Sequence, residues 1–231
     1  MNGSKSTVSI SRTSRSGIAD AILAGHVSNT PGKGRRERRA AETRLRLFRC
    51  ALQLFSERGF SNVTVEDITE AADVGKGTFF NYFETKDHVL GFMAEIQLGK
   101  VGHAASLAAQ GKQSIHSVLH GLVLHLGEEP GRSPSLARAM ISSFLASESV
   151  RAIIERNMAE GRRTISEVVA AGQWRGEINP RLSKEKVAIQ FMQSMMGTIL
   201  LWSLRGEPAL ETWIEDSFQH FWRSVAISGK K

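Results

Sequence analysis

A single cysteine in 231 residues leaves no disulfide to form within the chain, so a fold of this length must rest on a packed core. Cys50 stands beside Phe48, Ala51 and Leu52, company in which a thiol acts as a small apolar side chain. A free thiol is at home in a reducing cytoplasm, the expected location. No apolar stretch reaches the uninterrupted length of a membrane span, so no membrane partner is expected. The apolar stretch around residues 18–27 contains Asp20 and His26, which makes a poor secretory signal. Cysteine clusters, nucleophile elbows and glycine-rich phosphate loops are missing too. His116 and His120, four apart, with His103 or His125 nearby, are the only candidates for a shared metal, and no Glu between them has the spacing of a metalloprotease. A metal-dependent helical enzyme is therefore a distant alternative. No catalytic residue, metal site or cofactor is expected. Strand-like alternation is also absent, and the periodicity is helical throughout, so the fold class is all-α.

The formal net charge is +7, and its position matters more than its size. Residues 1–46 hold ten Lys or Arg against three acids, whereas beyond residue 46 basic and acidic residues cancel. Residues 1–34, rich in Ser, Gly and Thr with no apolar period, read as a disordered basic tail. The run Arg35, Arg36, Arg38, Arg39 abuts the first apolar helix and suits contacts with phosphate.

Residues 64–86, TVEDITEAADVGKGTFFNYFETK, read as a helix-turn-helix. Thr64 and Asp67 have capping-box spacing, and Val63 and Ile68 stand where a hydrophobic staple closes the first turn. The first helix ends at Asp73, a residue type that tolerates left-handed backbone. The second begins near Gly75, with Phe79 and Phe83 on one buried face. Lys76, Thr78, Asn81 and Tyr82 are left outward. Thr64, at a helix N-terminus, suits a phosphate oxygen. Lys76 and Lys86 start successive helices and add charge.

This string resembles the DNA-binding domain of the TetR family of bacterial regulators. Upstream, RLRLFRCALQLFSERGF over residues 44–60 is similar to the family's first helix, which ends in Glu-x-Gly-Phe. The family's GVSKGTFYNYF string appears as DVGKGTFFNYF, with Asp73, Gly75 and Phe80 as departures. The resemblance is specific over residues 37–90. It implies a three-helix DNA-binding domain over residues 35–85 and a helical effector-binding and dimerisation domain over 86–231. It places Thr78, Phe80, Asn81 and Tyr82 in the major groove of double-stranded operator DNA, with Gly77 among the DNA-binding residues; Phe80 offers apolar contact only. A bacterial regulator has no use for an organelle transit peptide, the other reading open to a Ser- and Arg-rich start.

After the motif, helices are expected over residues 86–109, 114–126, 135–146, 148–173, 184–204 and 208–227, with Pro208 in a first turn. The last two are apolar nearly all round, which asks for burial on more than one side. A partner copy is the expected cover, and the resemblance implies a homodimer joined by these helices. Met196, Leu200, Trp202, Phe218 and Trp222 are the expected interface, and a core within one chain is the alternative. The resemblance also implies a small-molecule effector in the body, and Met140, Phe144, Met158, Trp174, Phe191 and Met195 are its expected lining. Met adapts to apolar ligands, although the same residues serve equally as core filler. Arg162, Arg163 or His120 is the candidate for a polar end. The expected function is a bacterial, nucleoid-associated repressor that an apolar ligand releases from an inverted-repeat operator. A ligand-independent activator or architectural protein is the alternative.

Overall fold

Capping residues and left-handed turns cut this chain into helices. The computed structural model describes residues 35–146 and 148–227; the expected tail, residues 1–34, lies outside them. Helix α1 spans Arg35–Arg58 and is followed by a 3-10 turn, Phe60–Asn62. The short pair α2, Val65–Ala71, and α3, Lys76–Phe80, completes an amino-terminal unit. Helix α4, Lys86–Gln110, leads into the body. The body continues with α5, Ile115–Gly127, α6, Pro134–Ala146, α7, Glu148–Trp174, α8, Lys184–Arg205, and α9, Leu210–Val225. Among the described residues there is no strand, only one isolated bridge between Ile178 and Ala226. The all-α expectation holds.

Local chemistry sets the boundaries. The Ser114 and Ser183 hydroxyls accept from the Ser117 and Lys186 amides at 3.1 and 3.2 Å, which starts α5 and α8. The Glu177 carboxylate also accepts from the Ile115 amide at 2.7 Å, adding negative charge at the positive end of α5. Gly111 and Gly206, with φ of 71° and 81°, end α4 and α8 in left-handed backbone that favours glycine. Pro208 was expected in the first turn of the last helix. It lies one residue before the cap, Ala209, and its carbonyl accepts from the Trp202 indole at 2.9 Å.

Two cores result. The amino-terminal one gathers Leu47, Phe48, Ala51, Leu52 and Phe55 of α1 with Ile68, Phe79 and Phe83. It continues into α4 through Val89, Leu90, Met93 and Ile96, and into α6 through Leu136 and Met140. A boundary drawn between residues 85 and 86 thus cuts through one continuous core. The body core is built from α4, α5, α7, α8 and α9 with Ala137 of α6, and Ile115, Leu119, Val169, Phe191, Ile214 and Phe218 are among its members. Helix α8 is long and apolar enough to cross a membrane by length and composition alone, but a core helix passes the same test, and Val187, Ala188, Phe191, Met195 and Trp202 are buried here.

Candidate nucleic-acid interface and ligand cavity

The helix-turn-helix forms as its local chemistry dictates. The Asp67 amide donates to the Thr64 hydroxyl at 3.1 Å, and the Thr64 amide donates to the Asp67 carboxylate at 2.7 Å, closing the capping box. The Thr64 hydroxyl and amide together hold the Asp67 carboxyl below the usual aspartate range. Asp73 takes φ of 49° and reverses the chain, and Gly75 caps α3 without a side-chain bond. Phe79 and Phe83 are fully buried, each contributing roughly 1.5–3 kcal/mol. Together they fix α3 against α1 and α2.

The outward face matches the expected reading surface with three corrections. Lys76, Gly77 and Asn81 are exposed, Thr78 is partly exposed, and Phe80 presents nearly half its surface while its ring packs edge-on against Phe79 at 5.5 Å. Lys76 pairs with exposed Glu66, whose carboxyl is lowered chiefly by that hydrogen bond. Phosphate can replace so open a partner. Tyr82, expected to stand clear of the core, packs partly against it. Lys86, expected to reach phosphate, turns back onto the protein: its ammonium donates to the Phe60 and Val63 carbonyls at 2.6 and 2.7 Å and lies over the Phe60 ring. Desolvation by burial lowers its pKa. Lys86 therefore locks the turn between α1 and α2. Thr64, likewise, spends its hydroxyl on Asp67, since it also donates there at 2.6 Å.

Arg35, Arg36, Arg38 and Arg39 are exposed and belong to the start of α1. Four cations at the positive end of a helix oppose its dipole. Only Glu37 offsets them in the first turn, and an anionic partner removes the penalty.

Farther down, α4, α6, α7 and α8 line a partly open cavity of about 160 Å³. Five of the six expected lining residues, Met140, Phe144, Met158, Phe191 and Met195, form its wall. Trp174 does not: it sits at the end of α7 with 88% of its surface exposed. Arg162 and Arg163 are exposed outside the cavity. The Nε2 of His120 lies 2.6 Å from the Glu215 carboxylate on α9 and its ring stacks on that of His116, so the histidine pair packs α5 against α9. Burial, and then the neighbouring His120, lower the His116 pKa. Sequence reasoning missed Gln97 and Asn157, the cavity's two polar residues. Gln97 was detectable, because it stands in helical step with Met93 and Val101 on the apolar stripe of α4.

Met93 and Met140 belong both to the cavity wall and to the amino-terminal core. A second link joins the two regions. The Arg44 guanidinium on α1 makes a two-pronged bond to Glu95 on α4, at 3.1 and 3.2 Å, and lies 3.8 Å from the centre of the Phe92 ring.

The expected dimer face is partly revised. Met196 and Leu200 are exposed as expected, alongside Ile189, Leu201 and Leu204. Trp202 and Phe218 are buried within the chain, and Trp222 packs beside His116. Bulk drew these aromatics into their own core. The exposed leucines are left to face outward.

Residues 47–91 match the family described as Bacterial regulatory proteins, tetR family. The chain is 31% identical over 153 residues to the transcriptional regulator TcmR of Streptomyces glaucescens, covering 62% of this chain and 66% of that protein, just under two thirds. It is 26% identical to the transcriptional repressor DhaR of a Mycobacterium species, over 64% of this chain and 76% of the relative. In structure it is similar to Thermus thermophilus FadR, a transcriptional repressor in complex with lauroyl-CoA. The TM-score is 0.56 at 25% identity, over 81% of this chain and 96% of that one. A helix-turn-helix with an open outer face, carried on a helical body with a cavity, accords with these relatives: over residues 47–91 the chain carries the DNA-binding domain of the TetR family of bacterial regulatory proteins.

Proposed function

We propose that this chain is a homodimeric repressor that binds an inverted-repeat operator and leaves it when a small, largely apolar ligand enters the body. The unit over residues 35–85 reads DNA, the unit over 86–231 senses and dimerises, and the protein works on the nucleoid in the bacterial cytoplasm. The observation that carries this reading is the sharing of Met93 and Met140 between the cavity wall and the core beneath the recognition helix. A ligand that presses on that wall moves α4 and α6, and with them the seat of α3. The ligand must bind the DNA-incompetent arrangement more tightly, and its differential affinity sets the size of the effect. The ligand-independent alternative leaves the cavity without a role.

On the duplex, Arg35, Arg36, Arg38, Arg39 and Lys76 neutralise phosphate while Thr78, Phe80, Asn81 and Tyr82 face base edges. Gly77 has a further role. A Cβ added there meets nothing within 4 Å in the protein, so neither packing nor backbone angle calls for glycine, which costs roughly 0.5–1 kcal/mol in a helix. Close approach of the duplex backbone accounts for it. Gly77→Ala is expected to raise thermal stability slightly and to weaken operator binding about tenfold or more. Unchanged affinity in a binding titration removes Gly77 from the interface.

A screen of apolar and amphipathic compounds tests the sensor. Compounds that raise the melting temperature are expected also to release operator DNA. Stabilising compounds that leave the DNA complex untouched contradict the coupling.

A further inference from the structure

The ligand cavity is apolar on every side but two. Among the residues that line it, only Gln97 on α4 and Asn157 on α7 carry hydrogen-bonding side chains, and none carries a charge. The Gln97 Nε2 is committed, donating to the Leu126 carbonyl at 3.3 Å and to the Glu129 carboxylate at 3.2 Å. That carboxylate is itself held by Lys100 at 2.6 Å, in a pair almost wholly out of solvent. Gln97 is thereby fixed in orientation, and its Oε1 is buried with no partner among the described residues. The Asn157 Nδ2 is buried and unpartnered as well. Two residues of the cavity wall, on helices that pack against each other, thus hold an unused acceptor and an unused donor just beneath its surface.

Buried polar atoms without partners are costly and uncommon, and two of opposite kind at one cavity ask for a common explanation. We propose that Gln97 and Asn157 are the polar anchor of the effector site, and that the effector is an apolar body bearing one uncharged head with both a hydrogen-bond donor and an acceptor. The inference rests on the reading of this cavity as the effector site and narrows the ligand's class. A carboxylate or phosphate head brings no donor to the Gln97 oxygen and finds no basic side chain in the wall, so the bond it accepts from Asn157 is a poor exchange for its lost hydration. An ammonium head finds no carboxylate in the wall. A primary amide, an alcohol or a phenol satisfies both groups. Because Gln97 and Asn157 stand on α4 and α7, such a head ties the helix that leads from the DNA-binding unit to the long helix of the body.

The test uses the full chain and three probes of one shape: naphthalene, 2-naphthamide and 2-naphthoate. A cavity of about 160 Å³ is of the size that takes a small aromatic ring system. In calorimetric titration 2-naphthamide is expected to bind about tenfold or more tightly than naphthalene, as one to two added hydrogen bonds provide, with 2-naphthoate weakest. Asn157→Leu removes an unpaired buried donor. In the ligand-free protein it is expected to raise the melting temperature by roughly 2–4 °C. It is also expected to reduce the amide's advantage by about tenfold while naphthalene binds as well or better. Tightest binding by naphthoate, or an amide advantage unchanged in Asn157→Leu, overturns the anchor. Naphthalene binding that persists in Met195→Trp, or no binding by any probe, overturns the reading of the cavity itself.

Discussion

Leu200→Glu combined with Leu204→Glu is expected to leave the protein folded but monomeric at micromolar concentration, and to weaken operator binding by about 10²–10⁴. Leu200 and Leu204 are one turn apart on α8 and expose 43% and 67% of their surfaces, so glutamate there costs the subunit little. Ile189, Met196 and Leu201 are exposed on the same helix, making an apolar face of the kind that marks an interaction site. Two facing copies then bring four carboxylates into one contact, which costs several kcal/mol through like-charge repulsion. The loss on DNA follows from linkage: once one recognition helix is seated, the second binds as if intramolecular, and a monomer forfeits that gain. Analytical ultracentrifugation and a binding titration check both halves. A stable dimer in the double variant moves the interface off α8.

Met195→Trp is expected to abolish ligand-induced release while leaving operator affinity within about twofold. Met195 is 7% exposed and lines the cavity, so a larger ring fills space otherwise open to ligand. Overpacking commonly costs about 1–3 kcal/mol; here the void absorbs much of it, and the melting temperature stays near the parent's. Met195 is not part of the amino-terminal core, so the reading face is unaffected. Release titrations on the variant are the check, and a normal response places the effector elsewhere.

The helix-turn-helix was legible because its signals are local. Thr64 and Asp67 three apart, Asp73 at the turn, and Phe79 and Phe83 four apart fix that geometry without the rest of the chain. The body was legible as helices and less so as faces. Trp202 and Phe218 lie on helices apolar nearly all round, where periodicity does not say which side meets the same chain and which a second copy. Trp174 sits at the end of α7, where the next residue, Arg175, folds back onto the Ala108 and Gln113 carbonyls. The indole remains outside. Lys86 shows the limit for charge: its long stem lets the ammonium reach two carbonyls more than twenty residues away in sequence, which no spacing rule reveals. Asn157 escaped notice because a polar residue on an amphipathic helix reads as surface until the facing helix is in place.

Selection of bound sequences from a random pool of duplex DNA tests the central claim most directly. Two recognition helices related by a dyad should enrich an inverted repeat whose half-sites lie on one side of the duplex, separated by about one helical turn, roughly 34–36 Å, or a multiple of it. A ligand that stabilises the protein should then elute that pool. Enrichment of sequences with no dyad, or of none at all, contradicts the account.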